Sequence, residues 1–230
     1  MDGRSRLEKA GIEAIDVALG RSHRTDPVSG SSGGPAGNGR LTAWTGLVLL
    51  VLFVAELVTL LDVRGLIGWH LALGVILVPP VVLKTATTGW RIVGYYIGHE
   101  PYRQAGPPPV LLRFLGPLVI VGSLALLATG VALVLLGQRS SRQTLIAVLG
   151  LRVDMLTLHQ CAFAAWAVVT VLHVLARIWP AWRMTRPARP RVPGGRNRGV
   201  ALLATLVLSV ALAGWVLTHQ NGWDLSVQGL

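Results

Sequence analysis

Two histidines, His159 and His173, stand fourteen residues apart in one apolar run, LTLHQCAFAAWAVVTVLHVLARIW. On an α-helix, fourteen steps of about 100° fall about 40° short of four turns, so both imidazoles face one side, roughly 21 Å apart along the axis. The run is long enough to cross a bilayer, where polar side chains are costly and usually functional. Imidazole is a common metal ligand. Two on one face, one near each end, suit axial ligation of two stacked cofactors, and the simplest such cofactor is haem. His70 opens another apolar run, and Glu56 is the one carboxylate well inside a run. His99 follows the stretch RIVGYYIG, His219 ends the last run, and His23 lies in a polar tail.

These residues need a membrane scaffold. Of 230 residues, 52% are hydrophobic and 13% charged, which is too apolar for a soluble domain of this size. Five spans are predicted: Leu41–Leu61, Leu66–Leu83 with a continuation towards Tyr96, Leu111–Leu136, Leu156–Ile178 and Gly199–Leu217. Four of the five are expected to form a haem-binding bundle, and no strands are expected. The domain layout is a flexible cytoplasmic tail over residues 1–40, a transmembrane helical domain over 41–220 and a short external tail over 221–230. The tail ends in DPVSGSSGGPAGNGR, a composition that cannot bury a core. Its middle, with Leu7, Ile12, Ile15 and Leu19, reads either as an amphipathic helix on the membrane or a partner, or as a partly helical tail.

Lysine and arginine set the orientation. Six lie in the tail, four in 84–113 and seven in 177–198, against one and three in the first and third connections. This puts the N-terminus in the cytoplasm and the C-terminus outside the plasma membrane. Spans two and four then both run inward. His70 and His159 both sit near the outer starts of their spans and can meet at one depth, one on each side of a porphyrin. The plainer alternative is two interfacial histidines bonded to backbone or head groups. His173 lies deeper, and fourteen residues after His70 comes Lys84, not histidine. His99 is the only histidine left on that side as a second ligand, so one haem b is assigned and a second is left open. Glu56 shares the depth of His70. Its expected partners are an imidazole N–H of His70 or His159, or the hydroxyl of Thr59. It could orient a ligand, carry a quinone proton, or pack the bundle as a neutral acid. Gly116, Gly122 and Gly130 in span three allow close approach of a macrocycle or a helix.

Other classes recede. The one cysteine, Cys161, excludes an intrachain disulfide and a covalent C-x-x-C-H haem site. No aromatic–basic platform accompanies the positive charge, so nucleic acid is not an expected partner. No dinucleotide fingerprint follows a strand, so a catalytic subunit, if there is one, must be a separate chain.

Residues 41–180, through His70, His159 and His173, resemble the bacterial cytochrome b561-type membrane cytochromes, including the b-type subunits of formate dehydrogenases and nickel hydrogenases. The resemblance implies a helical bundle with b haem that exchanges electrons with quinone and a redox partner subunit. It implies His70 and His159 as haem ligands and His173 as a ligand of a second haem. The chain departs from the pattern at Lys84 and in lacking a histidine in span one. Two other classes stay open: a haem-free membrane anchor or assembly subunit, and a small transporter that relays protons through histidine and Glu56.

Overall fold

The computed structural model describes residues 3–19, 21, 26–107, 110–148, 151–187, 191–220 and 223. Five helices are long and apolar enough to cross a membrane. They are α2 (Gly34–Thr59, extended by a 3₁₀ turn over Leu60–Asp62), α3 (Ile67–Tyr96), α5 (Val110–Ser140), α6 (Met155–Thr185) and α7 (Gly195–His219). Two shorter helices complete the set among the described residues: α1 (Gly3–Ala18) before the first span and α4 (Glu100–Ala105) between α3 and α5. The second span continues to Tyr96 as one helix of 30 residues, about 45 Å long, so its end stands clear of a hydrocarbon layer about 30 Å thick.

Neighbouring helices pack α2 on α3, α3 on α5, α5 on α6 and α6 on α2, which closes a ring of four. The last helix, α7, lies outside the ring, mainly against α3. In this arrangement α3 and α6 face each other across the middle. Leu49, Leu77 and Val81 are buried there, with Leu52, Phe53 and Leu127 packed on them. Below them Trp166 stacks obliquely on Phe53 at 4.7 Å between centroids and donates to Ser123 Oγ at 2.9 Å. The outer faces carry bare apolar side chains: Leu135 is 72% exposed and Leu175 is 66% exposed. A surface of that kind requires lipid or another apolar cover. Exposed tryptophans gather at the two ends: Trp69 and Trp215 at one, Trp90, Trp179 and Trp182 at the other. That is the pattern of two interfacial belts. The chain is therefore an all-α membrane protein in architecture.

Two features depart from expectation. A hairpin, β1 (Ile146–Val148) with β2 (Leu151–Val153), precedes α6, with Ile146 opposite Val153 and Ala147 opposite Arg152. Its β-branched residues are too few to make an alternating run, so no strand pattern stands out in the sequence. The Gly/Ser/Pro segment is not a loose tail from Asp26 onward. Asp26 and Arg91 form a two-pronged ion pair at 2.6 and 2.7 Å. Arg198 donates to the carbonyls of Ser32, Pro193 and Val192, Arg40 to that of Arg186, and Asn38 to that of Thr87. Within the segment the Ser32 carbonyl is the acceptor, and Asp26, Asn38 and Arg40 reach from it and from the start of α2 to α3 and the α6–α7 connection. Gly33 adopts a left-handed φ of 83° there, and a Cβ would lie 2.6 Å from Val192. Accordingly α2 begins at Gly34, seven residues before the expected Leu41. The α1 helix lies against α5 and α6, with Ile12, Ile15 and Leu19 exposed.

Candidate functional site

His70 stands in the first turn of α3 and His159 in the second turn of α6, two helices that begin at the same end of the ring. Their rings face one another across the middle. The centroids are 6.4 Å apart and the planes stand at 84°.

The surroundings fix each ring. His70 Nδ1 lies 3.0 Å from Glu56 Oε1 and 2.9 Å from Thr59 Oγ1. The Thr59 hydroxyl gives its own proton to the Glu56 carbonyl at 2.6 Å, so its oxygen is left to accept. A carboxylate and an accepting hydroxyl together require a proton on His70 Nδ1. His159 is held in the same way by one group. Its Nδ1 lies 3.0 Å from Thr129 Oγ1, whose proton goes to the carbonyls of Ala125 and Leu126 at 2.9 Å each. In the tautomer that carries its proton on Nδ1, each neutral ring keeps a lone pair on Nε2. Gly130 leaves room: a Cβ there would lie 3.3 Å from His159 Cε1. Glu56 Oε2 is buried and makes no hydrogen bond.

Local sequence sets these positions. Asp154 caps α6, accepting from Thr157 N–H and Thr157 Oγ at 2.7 Å each, which fixes the first turn, just before His159. These bonds hold the Asp154 carboxyl below its usual range, the backbone N–H of Thr157 foremost. α3 starts without a side-chain cap, and the His70 N–H bonds the Leu66 carbonyl at 2.8 Å.

Other sequence candidates fall elsewhere. His173 sits four turns along α6 from His159, and its Nδ1 is buried with no partner. His99 is exposed at the start of α4, its ring 5.6 Å from that of Tyr102, and no hydrogen bond or ring contact joins it to His173. His219 stacks on Trp215 at the end of α7. His23 lies outside the described residues. Cys161 is exposed on α6. Of the span-three glycines, Gly130 meets His159 and Gly122 meets Trp166, whereas Gly116 meets nothing within 4 Å. Sequence reasoning missed Thr129, because a threonine in an apolar helix ordinarily bonds its own backbone and gives no signal. Among the described residues, no three His, Cys, Asp or Glu side chains gather to hold a metal ion.

Fold and site define a multi-pass helical membrane protein with an imidazole–carboxylate cluster near one end of a four-helix ring. Compared with protein-family models, curated proteins and solved structures, the chain matches none.

Proposed function

We propose that the chain is a membrane-bound b-type cytochrome that passes electrons between the quinone pool and a separate redox subunit. The observation that carries this reading is the opposed pair His70–His159. Two imidazoles that share one metal through bonds of about 2 Å have centroids roughly 6 Å apart, and the pair stands at 6.4 Å. Both Nδ1 atoms are engaged, which leaves Nε2 as the ligand atom on each side. Metal-bound histidines characteristically have the other nitrogen held by a carboxylate, carbonyl or water, and Glu56 gives His70 a partner of that kind. The chemistry of the pair suits a b haem, which His70 and His159 would hold through their imidazoles.

When bound, haem supplies a one-electron carrier. The chain's own groups do the rest. Glu56 and Thr59 orient one ring and Thr129 the other, while Gly130 leaves the His159 ring its place. Phe53 and Trp166, about two turns further into the ring, put apolar surface below the pair. Quinone and the partner subunit enter this reading through the resemblance, and the charge asymmetry puts the His70–His159 level at the outer face.

A visible spectrum and a pyridine haemochrome assay on the purified protein test the proposal. The expected result is a b-type spectrum and about one haem per chain, lost in His70→Ala and in His159→Ala. A folded, colourless wild-type protein after expression with ample haem would leave the anchor or assembly reading in its place.

A further inference from the structure

Four turns along from the histidine pair, the ring carries a second polar level built differently. Lys84 on α3 and His173 on α6 lie fourteen residues beyond His70 and His159. Lys84 Nζ donates to the Thr42 carbonyl on α2 at 3.1 Å. Gly46 on α2 makes room for the ammonium, since a Cβ there would lie 2.8 Å from Nζ. Lys84 also stands within electrostatic range of His173 and Arg177. On α6, His173 Nδ1 and Thr170 Oγ1 are three residues apart, so they share a face. Both atoms are buried and neither makes a hydrogen bond.

No ion pair joins Lys84 to a carboxylate among the described residues, and the carboxylates of α2 to α4 are engaged elsewhere. Asp26 is taken by Arg91, Glu100 accepts from Gln104, and Glu56 is bonded to His70 at the other level. A cation held inside a helical bundle without a counter-charge is expensive, as is a buried polar atom without a partner. An ammonium only donates, and a hydroxyl and an imidazole can each donate one proton, so a group with several oxygen acceptors and negative charge would satisfy all three. Depth narrows the class. Lys84 lies 17 residues beyond Ile67, about 26 Å along the helix, where a hydrocarbon core about 30 Å thick gives way to phosphate head groups.

We propose that Lys84, His173 and Thr170 bind a phosphate-type oxyanion between α2, α3 and α6, either a lipid head-group phosphate or free phosphate. The ammonium neutralises it, and the hydroxyl and imidazole fix its oxygens. His173 has no group that would orient it as a metal ligand, unlike His70 and His159, so this level takes an anion where a second haem would otherwise stand. The inference needs the membrane setting but not the haem.

The test uses the full chain in bilayers of digalactosyl lipid, which contain no phosphate, and reads Tm by tryptophan fluorescence. Inorganic phosphate is titrated against sodium chloride of equal ionic strength, and a parallel sample is placed in phosphatidylglycerol bilayers. A ligand that binds only the folded state raises Tm saturably, by several degrees at large excess. A rise with free phosphate assigns the ion from solution, and a rise only in phosphatidylglycerol assigns the head group. In either case Lys84→Met and His173→Leu should abolish the rise. Thr170→Val, the mildest change, should weaken it and covers the event that Lys84→Met does not fold. Equal Tm under all conditions, or an undiminished rise in the variants, would overturn the proposal. The haem spectrum reports separately, so failure here and failure of the cytochrome reading are distinguishable.

Discussion

His70 Nδ1 is held by a carboxyl and a hydroxyl, whereas His159 Nδ1 is held by a hydroxyl alone. This asymmetry has a measurable consequence if iron lies between them. A carboxylate acceptor makes imidazole a stronger electron donor, which favours the oxidised metal. Glu56→Gln keeps an acceptor oxygen and removes the charge, so the midpoint potential should rise while haem stays bound. A tenfold change in relative affinity for the two oxidation states is about 59 mV for one electron, and a shift of roughly that order is expected in a redox titration. Thr129→Val should shift it less. An unchanged potential in Glu56→Gln would reduce the carboxylate to packing. His173→Ala should leave the spectrum as it is, because His173 belongs to the other level; loss of the haem signal in a folded His173→Ala protein would contradict separate levels. The pairing of His70, His159 and Glu56 was legible in the sequence because charged and imidazole groups are rare in apolar runs and helical arithmetic gives their depth. Thr129 was not legible, since its role depends on which helix α6 packs against.

At the scale of elements, α6 depends on its start. Asp154 is half-buried, and its carboxyl is held below the ordinary range by the Thr157 bonds. A carboxyl lowered in the folded state adds stability above its unfolded pKa, near 4, and loses it as pH falls through the lower folded value. Asp154→Ala should therefore lower Tm at pH 7 and flatten the decline of Tm between pH 5 and pH 3. Asp154→Asn should keep most of the neutral-pH Tm while also flattening that decline. A wild-type acid profile in Asp154→Ala would show that other carboxyls govern it. The five spans were readable because each is a long apolar run bounded by basic or helix-breaking residues. The hairpin Ile146–Val153 and the Asp26–Gly33 anchorage were not. Both rest on backbone bonds and on ion pairs between residues as distant as Asp26 and Arg91, which leave no local period.

For the whole molecule, orientation is the property that all these levels share. The basic residues of the segment before α2, of the α3–α5 connection and of the α6–α7 connection meet at one end, where Arg40, Arg91 and Arg198 hold the chain together. Arg91 pairs with Asp26 within the fold, but the bias counts lysine and arginine rather than net charge, so the pairing leaves the imbalance unchanged. The opposite end keeps only Arg64, Arg139, Arg142 and Arg152 and also carries Asp62 and Asp154. If all five helices cross the membrane, the two ends of the chain are expected on opposite sides. Alkaline phosphatase fused after Leu230 should be active in an exporting host, and a green fluorescent protein fused before Met1 should fluoresce in the same cells. Cysteine labelling in a Cys161→Ser background gives a check that does not rest on fusions. With Thr144→Cys, in the connection before the hairpin, the new thiol should react with a membrane-impermeant maleimide on intact cells, and with Gln104→Cys it should react only after lysis. The reverse pattern would invert the molecule and place the His70–His159 level at the cytoplasmic face. Reaction of both sites on intact cells would break the five-span count itself.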